Sequence, residues 1–183
     1  MRCASLVRAV LLCATFPLAG CLSLVIPDHA PAPPDDATVE QMLAQRDFMG
    51  ESFVRINHAP FSSDLESDRV VTMYVNAAAA AAYQGVTPDA DSSTGPAFPV
   101  GGMIVRTSTD TSGTLQALTF MVKHEPGYFP EVGDFEFGVT DPNGKPALDT
   151  DGSTMMGKLG ECASCHEQRA DAGFLFGVAT TNR

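Results

Sequence analysis

Between residues 38 and 53 the apolar positions Val39, Met42, Leu43, Met49 and Phe53 fall on one helical face. That spacing, with Asp36 or Thr38 as a start signal, predicts an amphipathic helix over Thr38–Phe53. The period then changes. Arg69-Val70-Val71-Thr72-Met73-Tyr74-Val75 is β-branched and reads as a strand. Asn76 precedes six alanines, Ala77 to Ala82, and then Tyr83, which predicts a turn from strand into helix with Asn76 as the cap. Residues 84–100 are rich in Gly, Pro, Ser and Asp and read as a loop. Two strands follow, Gly102–Ser108 and Thr114–Lys123, with hairpin residues Thr109 to Gly113 between them. Asp134–Thr140 alternates Phe135, Phe137 and Val139 as a further strand, closed by the turn Asp141-Pro142-Asn143-Gly144. A last helix is expected around Glu161–Arg169, followed by Phe174-Leu175-Phe176. The order predicts an α+β fold: a mostly antiparallel sheet with packed helices and a C-terminal helix. No internal repeat is present.

The beginning of the chain has a different character. Met1, Arg2 and Arg8 precede an apolar stretch from Ala9 to Leu18, too short to span a bilayer and laid out as a secretory signal. It ends in Leu18-Ala19-Gly20-Cys21, which resembles a bacterial lipobox, so Cys21 is the expected lipid-bearing residue. The alternative is an ordinary signal cleaved nearby. Residues 27–37 contain four prolines and read as an extended tether, with His29 in it and solvated. The expected organisation is a signal over 1–20, a lipidated tether over 21–37 and one domain over 38–183.

Charge and cysteine use follow from that division. Without residues 1–20, nine basic residues face 22 acidic ones, a net charge of −13. Such a surface repels nucleic acid and anionic headgroups, so membrane association is expected through lipid alone. The expected location is the periplasmic side of a bacterial membrane, the outer membrane in particular because Leu22 follows the lipidated cysteine. Of the five cysteines, Cys3 and Cys13 leave with the signal and Cys21 takes lipid. Cys162 and Cys165 remain, which excludes a disulfide-rich scaffold.

Cys162-Ala163-Ser164-Cys165-His166 has the CxxCH spacing of covalent haem attachment. Two thiols one short turn apart can each bond a vinyl group on one porphyrin edge, and the next residue can place an imidazole nitrogen under the iron. One haem c is therefore expected, with Cys162 and Cys165 as thioether residues and His166 as the proximal metal ligand. Rival readings are a structural zinc site, a thioredoxin-like redox pair and a simple Cys162–Cys165 disulfide in a non-haem lipoprotein. No methionine follows His166, and Met155 and Met156 lie close upstream. A Met-ligated electron carrier is disfavoured on that ground, and the expected iron has an open position within a pocket of apolar residues. A lipid-anchored electron-transfer cytochrome, with an unknown redox partner protein, is the alternative function.

Several further segments, in order, resemble the cytochrome P-460 and cytochrome c′-β family: Thr72-Met73-Tyr74-Val75-Asn76, Phe98 to Arg106, Met121-Val122-Lys123, Gly133 to Phe137, and Cys162 to Phe176. The resemblance spans about residues 58 to 178. It implies an antiparallel sheet carrying one five-coordinate haem, commonly in a homodimer, and an activity on hydroxylamine or nitric oxide. In the oxidising members a lysine on the strand after the Pro-x-Gly segment is cross-linked to the haem. Here that position is Arg106, whose guanidinium stays protonated and is a poor nucleophile, so no cross-link is expected. Hydroxylamine oxidation is weakened accordingly. Arg106 is a candidate haem-edge or ligand contact, or else a solvent-facing strand residue. Gly173 stands where relatives often have Asp, which implies a looser turn. Phe120, Phe135 and Phe137 are candidates for the wall opposite the imidazole, or plain sheet core. Lys123 and His124 are expected to be exposed, with His124 or His58 an outside candidate for a sixth ligand.

Overall fold

A computed structural model describes residues 32–63, 68–88 and 97–183. The signal, the lipobox at Cys21, His29 and residues 64–67 and 89–96 lie outside the described residues. Among the described residues no helix is long and apolar enough to cross a membrane.

The expected α+β architecture is present. Seven antiparallel strands form one sheet: β1 (Phe53–Arg55), β2 (Phe61–Ser62), β3 (Arg69–Asn76), β4 (Met103–Asp110), β5 (Leu115–Lys123), β6 (Phe135–Thr140) and β7 (Met156–Gly157). The order is β1-β3-β4-β5-β6-β7, and β2 pairs with β3 on the same edge as β1. Strand alternation then sorts the side chains into two faces. On one face Val75, Ile104, Met121 and Phe137 lie side by side across β3 to β6. On the other, Met103, Val105, Leu118, Phe120 and Val122 form a second core.

Helix α1 (Asp36–Gln45) covers that second face with Val39 and Leu43, and Phe48 joins them from the short 3-10 turn Asp47–Met49. Asp35, not Asp36 or Thr38, is the cap: its side chain accepts from the Thr38 N–H at 2.8 Å. The helix also ends earlier than its periodicity suggests. Arg46 adopts a left-handed backbone, φ 58°, so Met49 turns out to solvent and Phe53 enters β1.

Asn76 does not cap a helix. Its amide donates to the Gly101 carbonyl at 2.9 Å and its Oδ1 accepts from the Met103 N–H at 3.1 Å. Satisfying two backbone groups of the neighbouring strand holds Asn76 in β3. The alanine run yields only α2 (Ala80–Gln84). In the turns the local chemistry is as expected. Asp110 Oδ1 accepts from the Ser112 and Thr114 N–H groups, and Asp141 Oδ1 from those of Asn143 and Lys145.

The Asp141 turn ends on Gly144, φ 79°, pressed against α1. A Cβ there would lie 2.5 Å from Ala44 N and 3.0 Å from Glu40 O, both backbone atoms of the helix. Left-handed strain and overpacking act together, so Gly144→Ala is expected to cost about 2–4 kcal/mol. The check is a urea midpoint that falls with an unchanged slope.

Candidate functional site

Helix α3 (Gly160–His166) carries the whole CxxCH segment and runs on into a 3-10 turn, Glu167–Ala172. It is docked by Leu159, Cys162 and Ala163, which pack against the core on the Val75–Phe137 face of the sheet. Cys162 and Cys165, three apart, share a helix face, the first half-buried and the second exposed. Both thiols are free. Burial, with Glu161 and Cys165 nearby, pushes the Cys162 thiol up from its ordinary range. A thioredoxin-like pair would need the opposite shift.

His166 ends α3 with its ring half-buried between two phenylalanines. The Phe137 ring is 5.0 Å away and tilted, and the Phe176 ring is 5.0 Å away and edge-on. Its Nδ1 lies 2.7 Å from the Phe174 carbonyl oxygen. A carbonyl only accepts, so Nδ1 carries the proton and donates, and in the neutral ring the Nε2 lone pair is left for another partner. Burial holds the His166 pKa below the ordinary imidazole value, an effect the Phe174 bond partly opposes.

That carbonyl is aimed by an unusual turn. Gly173 and Phe174 are both left-handed, φ 68° and 64°. Glycine adopts this conformation freely, whereas for Phe174 it costs roughly 1 kcal/mol. Two backbone hydrogen bonds close the turn. Gly173 N–H donates to Ala170 at 3.0 Å and Phe174 N–H to Arg169 at 2.8 Å. Downstream, the buried Tyr83 hydroxyl donates to the Phe176 carbonyl at 2.7 Å, fixing the segment against α2.

The lowered His166 pKa sets a pH dependence. Below about 6.5 the unfolded imidazole takes a proton that the folded one resists, so folding stability falls as pH drops through the lowered folded value. Denaturation midpoints of the haem-free chain should decline over this window, and less steeply in His166→Gln.

The other predicted residues sort by face. Arg106 lies in the row Met73–Arg106–Thr119–Val139, next to the row that ends on Phe137, and so shares the face of His166. It is not a solvent-facing residue: it is half-buried and its Nη2 donates to Ser63 Oγ at 2.6 Å. Phe137 touches the imidazole, as described. Phe135 packs on Phe98, 5.4 Å between rings, on the same face. Phe120 projects from the opposite face, where its ring lies over Gly138, and cannot wall this site.

His124 and Lys123 are both half-buried, not exposed. His124 Nε2 is 2.6 Å from Oε2 of the buried Glu136, and the His124 ring stacks on Tyr128 at 3.9 Å. Glu136 projects opposite to Phe135 and Phe137, so its partner His124 is turned to the other face of the sheet from His166. Met156 likewise packs into the core under α1. His58 is exposed in the loop after β1.

Comparison with protein-family models, with curated proteins and with solved structures finds no match. The likeness to the cytochrome P-460 family thus rests on the segments quoted above. Among the described residues no group of three or more His, Cys, Asp or Glu side chains could hold a metal ion. A structural zinc built on Cys162 and Cys165 therefore lacks its further ligands there. A hollow of about 90 Å³ adjoins Cys162, and one of about 220 Å³ borders the Gly173–Phe174 turn.

The Phe174 carbonyl, which accepts from His166 Nδ1, was not foreseen from the sequence. Gly173 was its signal: a glycine eight residues after Cys165, closing a helix, marks a left-handed turn.

Proposed function

We propose that this chain is a c-type haem protein in which Cys162 and Cys165 hold one porphyrin and His166 is the proximal ligand. Its iron is open to a small nitrogen or oxygen species of the nitric oxide or hydroxylamine class. The observation that carries the reading is the Nδ1–H bond from His166 to the Phe174 carbonyl. Histidine ligands characteristically spend one ring nitrogen on a carbonyl or carboxylate, which fixes the tautomer, orients the ring and raises the basicity of the other nitrogen.

The remaining residues fit the group in three ways. Two unpaired thiols share one helix face immediately before the imidazole. Burial favours a neutral ring at neutral pH, the form that ligates a metal. Phe137 and Phe176 shield the ring, and Phe176 is itself 48% exposed, an apolar surface beside the attachment helix. The two thioether bonds would retain the group.

A haem, when bound, would supply a redox-active iron able to take a small ligand. The chain's own residues do the rest. Phe174 stops the imidazole rotating, and the two phenylalanines limit water at its ring. Arg106, on the same sheet face and steadied by Ser63, is placed to donate to an anionic ligand or a propionate. Because position 106 is not a lysine, the proposed activity is ligand binding ahead of hydroxylamine oxidation. With Cys21 lipidated, the domain would work at the periplasmic face of a membrane.

Optical titration of haem-matured protein tests the reading. A high-spin spectrum that shifts on adding carbon monoxide or nitric oxide is expected. A low-spin spectrum that ignores both ligands would favour the lipid-anchored electron carrier. The absence of a Soret band would leave a non-haem lipoprotein with a Cys162–Cys165 pair.

A further inference from the structure

The second hollow does not involve the CxxCH residues. It lies between α2, the ends of β5 and β6 and the turn after α3, and measures about 220 Å³. Ala82, Val86, Phe98, Phe135 and Leu175 are among its walls, and among the described residues its one charged lining residue is Lys123. An apolar cavity of about 150 Å³ is enough for benzene. This one has room for a single ring or a short chain with a small polar head.

The ammonium is set in the wall by strand parity. Lys123 ends β5 on the Met121 side of the sheet, so its stem runs beside Phe135, and Nζ lies 5.1 Å from that ring's centroid. Nζ donates one hydrogen bond, to the Gly133 carbonyl. An ammonium carries three donors. Among the described residues, no carboxylate forms an ion pair with it. Burial lowers the Lys123 pKa and nearby Asp134 only opposes that shift. The ammonium thus stands half-buried beside apolar side chains with donors to spare, and an anion there would offset the desolvation it has.

We propose that this hollow is a binding site for a small monocarboxylate with an apolar body, its carboxylate on Lys123 and its body against Phe98, Phe135 and Leu175. The site is distinct from Cys162, Cys165 and His166, and does not depend on the haem reading. It borders that region through Phe174, whose ring packs on Gly133, where a Cβ would lie 2.5 Å from it.

Benzoate is the probe, titrated calorimetrically into the full chain. Saturable one-to-one binding is expected, at least tenfold tighter than for benzyl alcohol, which has the same ring without the charge. Lys123→Met keeps an apolar stem and should weaken benzoate at least tenfold while leaving benzyl alcohol unchanged. In the unaltered chain, magnetisation transfer from benzoate ring protons should reach the Ala82 and Leu175 methyls, which decides the matter even if the variant fails to fold. No saturation, equal affinity for the two probes, undiminished binding to a folded Lys123→Met, or transfer only to other methyls would each overturn the proposal.

Discussion

Haem-matured His166→Ala should keep its covalent pigment and lose its axial signature. The thioether residues stay in place, so a haem stain after denaturation should match the unaltered chain. The Soret maximum and spin state should change completely, because on the proposed reading no second imidazole among the described residues is placed to substitute. His124 is committed to Glu136 on the other side of the sheet, and His58 is out in an exposed loop. The alanine also leaves the Phe174 carbonyl without its donor, in a gap between Phe137 and Phe176 shaped for a five-membered ring. Added imidazole should therefore restore the original spectrum, donating one N–H to that carbonyl and offering its other nitrogen outward. A spectrum identical to that of the unaltered chain would remove His166 from the proposed role.

The second large effect is expected at the thiols. Cys162→Ser with Cys165→Ser should abolish denaturation-resistant pigment, and each single change should leave at most one thioether. The haem-free chain should stay folded with only a modest loss of stability. Cys165 is exposed, where changes stay within about 0.5 kcal/mol, and Cys162 is half-buried against the core, where a hydroxyl in place of the thiol should cost about 1 kcal/mol. The two readouts together separate attachment from folding. A double variant that still carried covalent pigment would place the attachment elsewhere, and one that lost its fold would make the pair structural.

What was readable in the sequence was what is local. The Asp110 and Asp141 turns follow from side chains bonding backbone two and four residues on, and β3 to β6 follow from their own β-branched and alternating residues. CxxCH is contiguous, so its spacing carries its proposed chemistry without any knowledge of the fold. What was not readable depends on register and on distant backbone. Phe120 and Phe137 look equivalent as strand aromatics. Yet Phe137 stands opposite Met121, not Phe120, and that single step puts the two rings on opposite faces. Asn76 had the composition of a helix cap and was taken instead by Gly101 and Met103, 25 and 27 residues away. The Thr38–Phe53 helix was cut short because Arg46 turned left-handed, where propensity gave no warning. The key acceptor for His166 is a main-chain oxygen, which no side-chain pattern encodes; only the glycine before it left a trace.

Whether one porphyrin is tied to Cys162 and Cys165 is read from the intact mass of the chain, produced in a host that attaches haem to exported proteins. After allowance for signal removal and any lipid, that mass should equal polypeptide plus one haem, with the added mass on the peptide containing both cysteines. A mass equal to the polypeptide alone, or lower by the two hydrogens of a disulfide, would contradict that attachment.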